Sequence, residues 1–320
     1  CAGGHWLPRR QLYDRRGGGG VSKRSRNPRW QRAVATRGRD GAGSVSYSCF
    51  MPASLSFAAY GEGIGNASAV VRANAVSAGL TAPVPSCPGW TVLDLVLHLG
   101  TAHRWASAII EGVPQDRWPT EKSGRAEGLA SGDVLEWFDD GMAHLLHVLA
   151  SAPADLKAFF FLKDAGRPRE AWARRQAHET TIHGVDAMAA RLGRVPTASQ
   201  TWVTAALAAD GVDELLTGFV PRKSGKLRTA PGEPPLTVLV RATDIDRAWT
   251  LRVSADPVIT TTGTRAQEEA HGIPDVVWEG TAAALYLGLW NRGDEITEIG
   301  ETGERSFLDR WRTDQRVQWT

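Results

Sequence analysis

Residues 168–193 read PREAWARRQAHETTIHGVDAMAARLG. Gly193 suits the end of a helix and Pro196 follows, so the stretch predicts a helix over about 168–192. On a helical wheel, Glu179 and His183 stand at i, i+4 and share a face. Trp172, Gln176, Asp186 and Ala190 lie within about 60° of Glu179. Ile182 and Ala189 flank the same stripe. The side of this helix that faces a core therefore carries a carboxylate, an imidazole and a second carboxylate. Buried without partners they would cost several kcal/mol, so the sequence must supply partners. A metal ion is one, because an i, i+4 pair aims two ligands at one point in a helical bundle. A solvated Glu–His pair is the plainer alternative.

Upstream, residues 56–79 carry an apolar stripe interrupted by glycines, and TAPVPSCPGW (81–90) is a connector that no helix can cross. Thr91 and Asp94 then form a capping box, with Trp90 and Leu95 placed for a hydrophobic staple. They open a helix over 91–112. A Pro/Gly/charge-rich loop is expected over 113–130 and an amphipathic helix over 133–150. Four helices with connections of mixed length indicate a four-helix bundle over 51–195. After the linker GRVPTASQT and a helix over 201–217, the period changes. Residues 237–244, 248–255 and 257–263 read as strands, followed by a helix at 280–291, a strand at 295–299 and a short helix at about 303–312. The expected fold is therefore α plus α+β, with an α+β domain over 200–320.

A third metal ligand must come from elsewhere, and the second helix has candidates. It offers His98 and His103, which point about 140° apart and so cannot serve one ion together. Periodicity leaves the choice open: His103 is nearer the centre of the apolar stripe and His98 at its edge. HETTIH (178–183) is not the zinc-protease motif, since its histidines are five apart. His144 and His147 form another pair, read as helix surface. Cys87 reads as a small packed residue of the connector rather than a nucleophile. No dinucleotide fingerprint, phosphate loop or nucleophile elbow follows a strand.

Composition narrows the classes. The chain has 320 residues, 42% of them hydrophobic, and no apolar run approaches a membrane span. The three cysteines form no framework, so a reducing cytoplasm is expected. The net charge of +2 is uneven: residues 1–50 carry 11 Arg/Lys against 2 Asp/Glu, and the remainder carries 26 against 33. An acidic body argues against nucleic acid as a partner. Residues 1–50 are Gly-, Arg- and Ser-rich without a period and read as a disordered basic leader. The first methionine is Met51 and Arg (31) far outnumbers Lys (6), as in a GC-rich genome, so the leader reads as an open upstream frame rather than native coding sequence.

PVPSCPGWTVLDLVLHLGTAHRWA (83–106) together with RRQAHETTIHGVDA (174–187) resembles the mycothiol-dependent maleylpyruvate isomerase family, and GTAAALYLGLWNRG (280–293) resembles its C-terminal domain. The resemblance covers about 52–320. It implies a DinB-like metal-binding four-helix bundle followed by a small sterol-carrier-like α+β domain. It also implies a divalent metal, usually zinc, held by His98, the histidine of the HLG element, with Glu179 and His183. Such a His₂Glu set also suits nickel, cobalt or iron. Three ligands leave an open position, the catalytic arrangement. Asp186 is placed for an outer hydrogen bond to His183 or an ordinary surface role. The implied cosubstrate is mycothiol, whose thiolate adds to a small electrophile. In the isomerase, addition to the cis double bond of maleylpyruvate permits rotation before elimination; a stable conjugate would make an S-transferase. For an anionic substrate the resemblance implies an arginine of the C-terminal domain. Arg292 is the candidate catalytic residue, with Arg241, Arg247 and Arg252 as substitutes. Expected partners are the thiol and the electrophile, with no nucleic acid or membrane, in a monomer or homodimer. The alternative is a non-catalytic, metal-stabilised module for ligand binding or regulation.

Overall fold

The computed structural model describes residues 55–163, 165–300 and 306–315. These fall in one compact unit. The expected leader, 1–50, lies outside them.

A helical N-terminal region comes first. Its helices are α1 (Phe57–Ala78), α2 (Val92–Ile110), α3 (Glu121–Ala130), α4 (Val134–Ser151) and α5 (Pro168–Leu192). Each boundary has a local cause. Thr91 and Asp94 close the capping box that starts α2, with the Thr91 amide donating to Asp94 Oδ2 at 2.9 Å. Asp133 Oδ1 accepts from the Leu135 and Glu136 amides at the start of α4. Helix α5 begins at Pro168 and ends at Gly193, whose φ of 68° is the left-handed conformation that glycine adopts without a Cβ clash. Helix α5 lies against α1 and α2, and α2 against α4.

The segment expected as a loop over 113–130 contains α3. Thr120 and Ser123 form its capping box, and Gly124 and Gly128 let it settle directly on α2. A Cβ on Gly124 would stand 2.1 Å from Thr101 Oγ1, and one on Gly128 2.4 Å from Leu97 Cδ2. The glycines that look like helix breakers are contact points, and α3 carries Glu121 to the site described below.

Helix α6 (Ala205–Asp213) continues into a wider π-helical turn, Glu214–Phe219. A mixed five-stranded sheet follows, in the order β3 (Ile259–Gly263), β2 (Ala248–Val253), β1 (Leu236–Ala242), β4 (Val276–Gly280), β5 (Thr297–Ile299). Strand β1 is antiparallel to β2 and parallel to β4. Strand β4 and the short α7 (Arg265–Glu269), on the path between β3 and β4, are additions to the sequence reading. Val240 is opposite Trp249 and Trp278, and Val238 opposite Leu251 and Val276, so these six share one face. That face packs into a core with α6, α8 (Ala282–Leu289) and α9 (Phe307–Asp314). Each fully buried tryptophan on it contributes on the order of 4–6 kcal/mol of gross apolar burial. Ile182 and Val185 of α5 belong to this same core. The helix carrying the Glu–His stripe is therefore packed from both regions. Among the described residues no helix is long and apolar enough to cross a membrane.

Candidate metal centre

Helix α5 turns Glu179 and His183 the same way, and α2 brings His98 to meet them. Glu179 Oε1 lies 3.3 Å from His98 Nε2 and 3.4 Å from His183 Nε2. One ligand atom from each of the three residues lies within 4.8 Å of the other two, and all three residues are buried. The two imidazoles meet edge to face, with centroids 5.0 Å apart.

Each imidazole is held from behind. His98 Nδ1 lies 2.8 Å from Glu121 Oε1 of α3, and His183 Nδ1 lies 2.8 Å from Asp186 Oδ2. A carboxylate on Nδ1 fixes the ring and leaves Nε2 to face the common point. Asp186 is itself anchored: Arg292, just past α8, reaches it with Nε at 3.1 Å and Nη2 at 3.0 Å. Ser86 Oγ donates to Asp186 at 2.5 Å, and the Cys87 thiol contacts it at 3.3 Å. Glu179 is backed by Arg175, whose Nη2 donates to Oε2 at 2.9 Å. Arg175 also pairs with Glu214 of the π-helical turn.

Opposite charges hold the buried groups of the site ionised. Burial alone would lower the His98 imidazolium, yet Glu121 and Glu179 outweigh it and hold it up at about 9. Burial alone would raise the Glu179 carboxyl, but His183, His98 and Arg175 keep it well below the usual carboxylate range. Burial would likewise raise Asp186, and Arg292 and His183 hold it far down. Burial pushes the Cys87 thiol up, with Asp186 adding to it, so Cys87 is no thiolate nucleophile. Two imidazole nitrogens and a carboxylate oxygen converge at one point, with the far nitrogens on carboxylates. A donor set of this kind could hold a divalent metal ion.

Trp90 and a pocket adjoin His98. Trp90 lies with its ring centroid 5.0 Å from His98 and is stacked on His183 at 6.0 Å. It covers the two rings rather than serving only as a staple. Beside it is a pocket of about 260 Å³ lined by Trp90, Asp94, Leu97, His98, Glu121 and Arg125, with Gly89 at its edge. Arg125 pairs with Asp94 at 2.7 Å and is half exposed.

His98, Glu179 and His183 therefore stand together, while His103 does not join them. His103 is fully buried, with Nε2 3.0 Å from Thr180 Oγ1. Arg292 reaches the site, but its guanidinium is spread along Asp186, behind His183, where it fixes a carboxylate already present. Arg241 pairs with Glu279 and Glu269, and Arg247 bonds Thr262. His178 faces away from the centre, with Nε2 2.8 Å from Asp210. His144 pairs with Glu111 on the exposed surface. Sequence reasoning missed Glu121, Arg175 and Glu214. Glu121 follows Thr120 in a T-x-x-S capping signal, which could have revealed α3.

No curated protein matches the chain in sequence. Among solved structures it is similar to the crystal structure of the mycothiol-dependent maleylpyruvate isomerase, at 17% identity and a TM-score of 0.49, covering 79% of this chain and 97% of that one. A histidine-to-alanine mutant of that isomerase gives 15% identity and a TM-score of 0.50 over the same shares. Residues 63–188 match the mycothiol maleylpyruvate isomerase N-terminal domain, and residues 206–310 match that family's C-terminal domain. With the two domains in the family's order over most of its length, the chain belongs to the mycothiol-dependent maleylpyruvate isomerase family.

Proposed function

We propose that this chain is a metal- and mycothiol-dependent enzyme that adds a thiolate to a small electrophile, either isomerising it or transferring the thiol. Residues 51–195 would form a DinB-like four-helix bundle bearing the metal, and residues 200–320 a sterol-carrier-like domain. The convergence of His98, Glu179 and His183, with carboxylates behind both imidazoles, is the observation that carries this reading.

These three residues would hold a divalent ion, zinc by the family's habit. When bound, such an ion supplies a Lewis acid that stabilises an anionic sulfur or oxygen. The remaining work belongs to the chain. Glu121 and Asp186 accept from the Nδ1 atoms, which turns Nε2 of each ring toward the ion. Arg292 keeps Asp186 ionised and in place. Trp90 shields the centre from bulk water. Arg125, in the adjoining pocket, is the cation suited to a substrate carboxylate. Its present partner, Asp94, forms a partly exposed ion pair worth at most about 1 kcal/mol, so an incoming carboxylate can take its place.

For an isomerisation of the kind named for the family, the sulfur–carbon bond forms as the carbon–carbon π pair moves onto the conjugated carbonyl. Rotation about the resulting single bond and reverse elimination then return the thiol unchanged. The test is a screen of mycothiol with maleylpyruvate and related electrophiles, with and without prior chelation. Thiol-dependent turnover that chelation abolishes supports the reading. Thiol-independent turnover, or none in a metal-loaded protein, contradicts it.

A further inference from the structure

We propose that Arg175 and Glu214 are positioning residues for Glu179, and that the turn following α6 thereby sets the metal affinity of a site built on α2 and α5. This rests on reading His98, Glu179 and His183 as metal ligands.

The two oxygens of Glu179 have different neighbours. Oε1 faces both imidazoles, and Oε2 accepts from Arg175 Nη2. Arg175 lies one turn earlier on α5, so its reach to Glu179 is the ordinary i, i+4 one. Its other amine goes to Glu214, where α6 widens into the π-helical turn. Turns of this kind often mark functional positions in helices. Phe219 closes the turn, and its ring centroid and that of Trp290 each lie 5.3 Å from the guanidinium carbon. Arg175 is 2% exposed and Glu214 3%.

The charge balance gives this arrangement a purpose. A guanidinium devoted to Glu179 alone would neutralise it and compete with a cation at the same carboxylate. Glu214 draws part of that charge away. Glu179 is thus held to one oxygen facing the imidazoles, yet keeps negative charge for an ion. A lysine could not do this, because a point charge does not bridge two carboxylates as a planar fork does.

The full-length chain is stripped of metal and titrated with Zn(II) or Co(II) against a chromophoric chelator. Wild type is compared with Glu214→Gln and with the double variant Arg175→Met/Glu214→Leu. The double variant removes the Arg175–Glu214 pair together and leaves Glu179 with His98 and His183, so it should still unfold cooperatively, at a midpoint lowered by the lost Arg175 contact. Its metal affinity is expected to fall by about 10–100-fold, the usual effect of losing an outer-shell partner. The visible spectrum of its Co(II) form should change as Glu179 Oε2 is released. Glu214→Gln removes one of the two carboxylate charges on Arg175 and should weaken binding several-fold. A folded double variant with wild-type affinity and spectrum overturns the proposal. If the double variant does not fold, unchanged affinity in Glu214→Gln overturns it instead. A wild type that takes up no metal defeats the ligand reading itself, and this proposal with it.

Discussion

Replacing His103 by glutamine is expected to remove most of one component of acid sensitivity. Burial lowers the His103 imidazolium to about 3, with Arg104, His98 and His183 adding to the effect and Glu179 opposing it. Thr180 and the Phe138 ring, 5.6 Å away, enclose the side chain, and Nδ1 has no hydrogen-bond partner among the described residues. Between pH 6.5 and 3 the unfolded chain binds this proton and the folded chain does not. Stability from this group is therefore complete above pH 6.5 and falls as the pH drops through that window. At about 1.36 kcal/mol per pH unit, the loss at pH 4.5 is about 2.7 kcal/mol. Urea unfolding followed by tryptophan fluorescence at pH 7.5 and 4.5, with chelator present throughout, measures it. Groups other than His103 titrate in both proteins and cancel in the comparison. The gap between wild type and His103→Gln should shift by about 2.7 kcal/mol in the variant's favour on going to pH 4.5. A gap that is the same at both pH values would refute the buried, neutral assignment.

Glu121→Gln keeps an acceptor on His98 Nδ1 but removes its charge. Metal affinity should drop at least about tenfold with little change in thermal midpoint, since Glu121 is partly exposed. Competition with a chelator reads the first and a melting curve the second, and unchanged affinity contradicts the role given to α3. Gly128→Ala places a Cβ 2.4 Å from Leu97 Cδ2 and 3.1 Å from the Trp137 ring. It should cost about 1–3 kcal/mol in urea unfolding despite alanine's better helix propensity, and a stabilised variant would show that α3 yields freely.

The long helices were legible because their signals are local. The Thr91–Asp94 box and Gly193 set ends of α2 and α5 within a residue or two of where they stand. The choice between His98 and His103 was not legible from periodicity. Helix α2 is buried on nearly all sides by its neighbours, so it has no single stripe whose centre marks the inside. Helix α3 was hidden for the opposite reason: its core contacts are made by glycines, which carry no hydropathy. The roles of Arg175 and Glu214, and the Arg292–Asp186 pairing, could not be read either. Their partners are 39 and 106 residues away, and only the packing of α5 against both regions brings them together. Arg292 was singled out through the family's motif as a cation for substrate. Its partner Asp186 lies in the same helical stripe as Glu179, and their pairing is a product of the tertiary fold.

The most direct test of the account is metal content by elemental analysis, in the wild type and in His183→Ala. The account predicts about one divalent ion per chain in the wild type, and its loss in a variant that keeps its helical spectrum and cooperative melting. A well-folded wild type without stoichiometric metal after growth and purification in zinc, or a His183→Ala variant that retains it, would contradict the claim that His98, Glu179 and His183 form the catalytic centre.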